Sequence, residues 1–130
     1  MLSVGQTHAA ARTLTQADFD LFARLSGDDN PIHVDSDFAA RTRFGRTVSH
    51  GMLLYALIRA ELARLAPGAA QVEQRLVFPA PTYAGDPLTV ELRVLELASD
   101  GREARITTQI MRGDGDLVCD GETTLRWGGV

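Results

Sequence analysis

Apolar and polar positions along the chain change their period near residue 68. Before it the spacing is helical. Thr15 is placed as an N-cap, and Asp18 lies in the first turn, where the helix dipole favours an anion. Phe19, Phe22, Ala23 and Leu25 then recur near one face, and Gly27 ends the helix. Ser36 is placed to cap a short second helix over residues 37–43. A loop, FGRTVSHGM, leads into a third helix from Gly51 to Leu65. Met52, Leu54, Tyr55, Leu57, Ile58, Leu62 and Leu65 cover much of its girth, which predicts a buried helix. Pro67 and Gly68 stop it.

After Gly68 the runs VEQRLVF, PLTVELRVLEL, REARITTQIMR and LVCDGETTLRW alternate or are rich in β-formers, and so read as strands. Ser99-Asp100-Gly101 and the Gly-Asp turn at 113–116 connect the last three, which should pair antiparallel. A further strand over Thr7 to Arg12 fits the pattern. The expected architecture is α+β: one domain over residues 1–130, with an antiparallel sheet wrapped around a central helix. Its edge strands could join two chains into a homodimer or a higher homo-oligomer.

Composition narrows the class. At 130 residues, 45% hydrophobic and 23% charged, the chain suits one globular domain. A net charge of −4 argues against a nucleic-acid partner but leaves room for a phosphate-bearing ligand held by a local basic patch. The single cysteine, Cys119, excludes an internal disulfide and a cysteine-pair metal site. The N-terminal residues lack a charged segment followed by an apolar one, and the longest apolar stretch is far below the roughly 20 residues of a membrane span. A cytoplasmic setting without membrane contact is expected.

Two loops carry the candidate chemistry. Residues 26–35 read SGDDNPIHVD. Asp, Asn, Gly and Pro are ordinary turn residues, and Asn30-Pro31 forces the asparagine out of helical geometry. Yet Asp28 and His33 lie five residues apart across that stiff turn, close enough for a carboxylate and an imidazole to share one site as a general acid/base pair. Asn30 could orient water or the carboxylate. In the second loop, His50-Gly51-Met52 opens the central helix. Its first N–H groups have no internal partner, and glycine lets a ligand oxygen approach them. The plain alternative is that Gly51 relieves crowding between helix and sheet.

The stretch LSGDDNPIHVDSDFAARTRFGRTVSHGMLL resembles the motif of the MaoC-like family, which includes the (R)-specific enoyl-CoA hydratases. VFPAPTYAGDPLTVELRV resembles the family's second half, so that the likeness runs from about Ala17 to the C-terminus. It implies a hot-dog fold and an acyl thioester substrate on coenzyme A or an acyl carrier protein. The reaction implied is reversible addition of water to a trans-2-enoyl thioester, giving a (3R)-3-hydroxyacyl thioester, with no metal or redox cofactor. Asp28 and His33 would be the catalytic pair, Asn30 its support and Gly51 N–H the donor to the thioester carbonyl. His50, Met52 and Arg46 are expected to contact substrate. Arg41, Arg43 and Arg46 could meet phosphates or the acidic surface of a carrier protein; a solvated basic face is the simpler reading. His8, Cys119 and Trp127 read as structural, and Arg59 as leaving the sheet edge. A thioesterase would need an acid near the start of the central helix, where only Glu61 is on offer and lies far along. A non-catalytic thioester-binding subunit is the reading that loss of Asp28 or His33 would have favoured.

Overall fold

A computed structural model describes residues 1–128. Five strands form one antiparallel sheet: β1 (Thr7–Thr13), β2 (Ala70–Val77), β3 (Pro87–Leu97), β4 (Glu103–Arg112) and β5 (Leu117–Arg126). Their spatial order is β1-β3-β4-β5-β2. The last three strands form a meander, as their short turns require. The Thr7 strand exists and pairs with β3 at one edge, while β2 crosses to the opposite edge and pairs with β5.

Alternation decides which face is covered. On β3, Leu88, Val90, Leu92 and Val94 are buried, and on β4 Ala104, Ile106, Thr108 and Ile110. Against this face lies α4 (Gly51–Leu65), burying Leu54, Ile58, Glu61 and Leu62. Each large apolar side chain buried this way contributes about 1.5–3 kcal/mol. The helix is not buried all round, in contrast to the expectation from its composition. Met52 is 54% exposed, and Ala56, Ala60 and Ala63 on the far side are exposed too. One layer of sheet can cover only one side of a helix.

The segment between β1 and α4 carries three helices. The first, α1 (Gln16–Ser26), starts with a complete capping box between Thr15 and Asp18 and stops at Gly27, whose φ of 81° closes the last turn. Residues Pro31–Val34, read from sequence as a turn, form a one-turn helix, α2. The reason is local: the Asn30 side chain accepts from Ile32 N–H, and Pro31 supplies a preset φ at the first helical position. The next helix, α3 (Ser36–Ala40), is capped by Asp35 rather than Ser36 and ends before Arg43.

Glu61 sits under α4 with 1% of its surface exposed. Arg12 of β1 donates to its Oε2 at 2.6 Å, Arg64 at 2.5 Å, and His8 of β1 meets its Oε1 at 2.9 Å. Burial alone would raise this carboxyl's pKa. The His8 bond and the Arg12 and Arg64 charges outweigh it and hold the group below its ordinary value. His8 is therefore structural, as expected, and it anchors the edge strand to the helix. Since the folded-state pKa lies below the unfolded one, the stabilisation is complete above the ordinary glutamate pKa and is lost as pH falls through the folded value. Chemical denaturation of Glu61→Gln at neutral pH should show a loss of about 1–3 kcal/mol. The deficit relative to the native chain should shrink as pH is lowered through that range.

Candidate active site

The candidate pair stands where two loops cross. Val48 N–H donates to the Ile32 carbonyl at 3.1 Å, and the His33 ring returns a bond from Nδ1–H to the Val48 carbonyl at 2.8 Å. Gln16, at the start of α1, donates to the His33 carbonyl and accepts from the Thr47 hydroxyl. His50 Nε2–H donates to the Asp28 carbonyl at 2.8 Å. A carbonyl only accepts, so both ring nitrogens facing carbonyls carry the proton. The neutral His33 ring then presents its lone pair on Nε2.

That Nε2 lies 3.9 Å from Asp28 Oδ2, too far for a direct hydrogen bond. The His33 side chain is 13% exposed and the Asp28 side chain 58%, so the gap opens to solvent. Asp29 is exposed on the far side of the turn. Beneath His33 lies the His50 ring, 3.8 Å between centroids and 21° from parallel, with Phe22 tilted against it at 4.8 Å. Asp28, His33 and His50 are the one group of three potential metal ligands among the described residues, their ligand atoms within 4.8 Å of one another. Two of the three are the stacked rings of His33 and His50, and His50 Nε2 is engaged by the Asp28 carbonyl.

Gly51, the next residue, begins α4 without any side-chain cap. A Cβ here would stand 2.7 Å from the end of the Phe78 ring, so a larger residue would have to displace that ring, and glycine adds no side chain beside the first N–H groups of the helix. A cavity of about 510 Å³ lies against it, lined by Arg43, Val48, Ser49, Gly51, Leu54, Phe78, Thr82 and Tyr83 among others. Asp28 and His33 border this cavity through Val48 and Gly51 rather than lining it.

Residues 3–112 match the model of the MaoC like domain. The chain belongs to this family. The match starts earlier than the motif residues alone suggest, taking in β1. A 3-hydroxybutyryl-CoA dehydratase from Methylorubrum extorquens is 40% identical over 96% of this chain and 80% of its own. An (R)-specific enoyl-CoA hydratase from Aeromonas caviae is 38% identical over 96% of this chain and 95% of its own. The solved (R)-hydratase from A. caviae involved in PHA biosynthesis superposes with a TM-score of 0.93, at 36% identity, covering 98% of both chains. The fold of this MaoC-like domain is the hot-dog fold.

The structure gathers Asp28, His33, His50 and Gly51, and separates the rest. Asn30 caps α2 and holds the turn between Asp28 and His33. His50, 2% exposed behind His33, and Met52, which the helix turns outward, do not line the cavity beside Gly51. Arg46 stacks on Tyr83 at 4.0 Å in a neighbouring depression that also holds Asp86, Arg112 and Asp114. Arg43, by contrast, lines the cavity beside Gly51.

Sequence reading missed Gln16 and Thr47, whose bonds connect segments distant in sequence and leave no local pattern. It also missed Thr82, whose buried hydroxyl has no partner among the described residues and which lines the cavity. A threonine between Pro81 and Tyr83, in an otherwise apolar run, was the available signal.

Burial pushes the His50 pKa down, with the nearby His33 adding to it; the Asp28 carbonyl bond and carboxylate oppose without prevailing. In an NMR pH titration His50 should be less than half protonated at pH 6.5, where an ordinary histidine is half protonated.

Proposed function

We propose that Asp28 and His33 form the acid–base pair of an (R)-specific enoyl-thioester hydratase, and that Gly51 N–H polarises the thioester carbonyl. The observation that carries this is the 3.9 Å gap between two acceptors, Asp28 Oδ2 and His33 Nε2. A water about 2.8 Å from each would subtend an angle of about 90°, close to the spread of its own two O–H bonds. The pair is thus spaced to hold one water by both hydrogens and leave its oxygen lone pairs free.

The water oxygen bonds to C3 as the pair takes one of its protons. The C2–C3 π electrons move toward the thioester, and the oxygen gains charge against the Gly51 N–H and the positive end of α4. The pair returns a proton to C2 on the same face, giving the (3R)-3-hydroxyacyl thioester; dehydration is the reverse. The proton belongs to the pair as a unit. Chain groups supply both the proton transfer and the carbonyl polarisation, so no cofactor enters this scheme. Arg43, at the cavity wall, is placed to meet a phosphate of a coenzyme A or carrier-protein arm.

Hydrolysis of the thioester fits less well. The acid on the central helix, Glu61, is engaged by His8, Arg12 and Arg64, about three helical turns beyond Gly51. With crotonyl-CoA the native chain should bleach the enoyl-thioester absorbance, and chiral analysis should find the (3R) product. Asp28→Asn and His33→Ala should each lower kcat by about 10²–10⁴-fold. Native-like turnover by both variants, or release of free thiol in place of hydration, would overturn the assignment.

The assembly we favour is a homodimer. β2 is an edge strand, and Val72, Val77, Phe78 and Met52 are exposed apolar residues on it and beside it, continuous with the bare alanine face of α4. Light scattering at micromolar concentration should give the mass of two chains or a multiple of it, and a monomer would refute the pairing.

A further inference from the structure

The proposed chemistry uses Asp28, His33 and Gly51, and one buried side chain touches the structure that carries each of them. His50 donates Nε2–H to the Asp28 carbonyl at 2.8 Å, stacks on the His33 ring at 3.8 Å and is joined by a peptide bond to Gly51. We infer that His50 is a positioning residue that fixes the Asp28–His33 gap relative to the Gly51 N–H, and so sets the rate of hydration without touching substrate. The inference rests on the reading of Asp28 and His33 as the acid–base pair.

Several observations support it. Asp28 lies outside any helix or strand, between Gly27 and the Asn30 cap. Its N–H donates locally, to Ser26 Oγ, so among the described residues the long-range hold on it is the bond that its carbonyl accepts from His50, 22 positions away. His50 itself cannot drift: it is 2% exposed and has both His33 and Phe22 against it. Packing alone does not account for an imidazole here, since His50 Nδ1 is buried without a partner among the described residues. An apolar side chain would fill the space without that desolvated nitrogen. The groups that need a polar ring are the Asp28 carbonyl above and the flat face of His33 beside it. The charged or titratable groups facing the ring are Asp28 and His33, and burial disfavours a positive charge on the ring beneath them.

The test compares His50→Gln, His50→Leu and His50→Asn with the native chain on crotonyl-CoA. The Gln amide reaches about as far as Nε2 and can still donate to the Asp28 carbonyl. The Leu side chain fills space but cannot donate, and the Asn amide stops near the level of Nδ1. Displacing a catalytic group by about 1 Å costs about 10²-fold. We expect kcat to fall about 10²-fold in the Leu and Asn variants and less than 10-fold in the Gln variant. KM should stay within about threefold throughout, since no substrate contact is removed. The pH dependence of kcat should shift in the Leu and Asn variants and keep its native form in the Gln variant. Native kcat in the Leu variant, equal losses in the Gln and Asn variants, or a rise in KM that matches the loss in kcat would each overturn the inference. If the Leu variant fails to fold, the Gln and Asn pair decides alone. Asp28→Asn in the same assay separates the two readings. If it is inactive while His50→Leu is native, only the positioning role fails; if it is fully active, the acid–base assignment fails first.

Discussion

Neither Asp28 nor His33 stands on a long regular element, and what places them is the cross-bracing of two loops. The Ile32–Val48 bond, the His33–Val48 bond, the His50–Asp28 bond and the Gln16 bridge join residues 28–33 to residues 47–50. Every one ends on a backbone carbonyl or ties a buried side chain. Together they convert two flexible-looking polar stretches into one rigid corner at the start of α4. The consequence is chemical as well as mechanical, because the same bonds dictate which ring nitrogens carry protons. In the neutral ring of His33 they put the proton on Nδ1 and leave Nε2 on the side of Asp28.

The sheet serves this corner by holding α4. Its inner face is apolar over β3 and β4, and the helix presents Leu54, Ile58 and Leu62 to it. Glu61 adds a directional element to an otherwise slippery contact: a buried carboxylate matched to His8 and Arg12 of β1 and to Arg64 allows few alternative registers of helix on sheet. The helix start is thereby fixed at one end by the loop corner, and its body is fixed near the other end by an ion network. What the single sheet leaves bare is the opposite side of the helix, from Met52 through Ala56 and Ala60 to Ala63. An apolar face of that length beside an unpaired edge strand has a physical reason to meet another copy.

Much of this was legible in the chain. The period change near residue 68 gave four strands, and the alternation on β3 and β4 gave the buried face. Capping residues gave α1, and the loop motifs marked Asp28, His33 and Gly51, which the fold brings to one corner. The parts that were not legible share a cause. The role of Glu61 depends on His8 and Arg12, about fifty residues away, and the short helix at Pro31 depends on a single asparagine side chain turning back on the backbone. His50 and Met52 flank the informative glycine, yet their directions follow from the helix phase, which a motif does not report. The burial of α4 was overestimated because apolar composition marks what can be covered and does not say whether one chain covers it.

The neutral state of the corner carries an asymmetry that bears on the reaction. His33 Nδ1–H is committed to Val48 and His50 Nε2–H to Asp28. What remains facing the 3.9 Å gap, Asp28 Oδ2 and His33 Nε2, are both acceptors, and they cannot satisfy each other. Such a gap is completed by a molecule that brings two donors, or by a proton, and in the hydration direction a water brings both in turn. Once the water has lost its proton to the pair, one acceptor has become a donor and faces the substrate carbon that must be protonated. In the dehydration direction the 3-hydroxyl takes the place of the water and the same two atoms exchange roles. A pair held slightly too far apart to bond is, on this argument, better suited to reversible water addition than a tight ion pair, whose direct contact would have to break before water could enter.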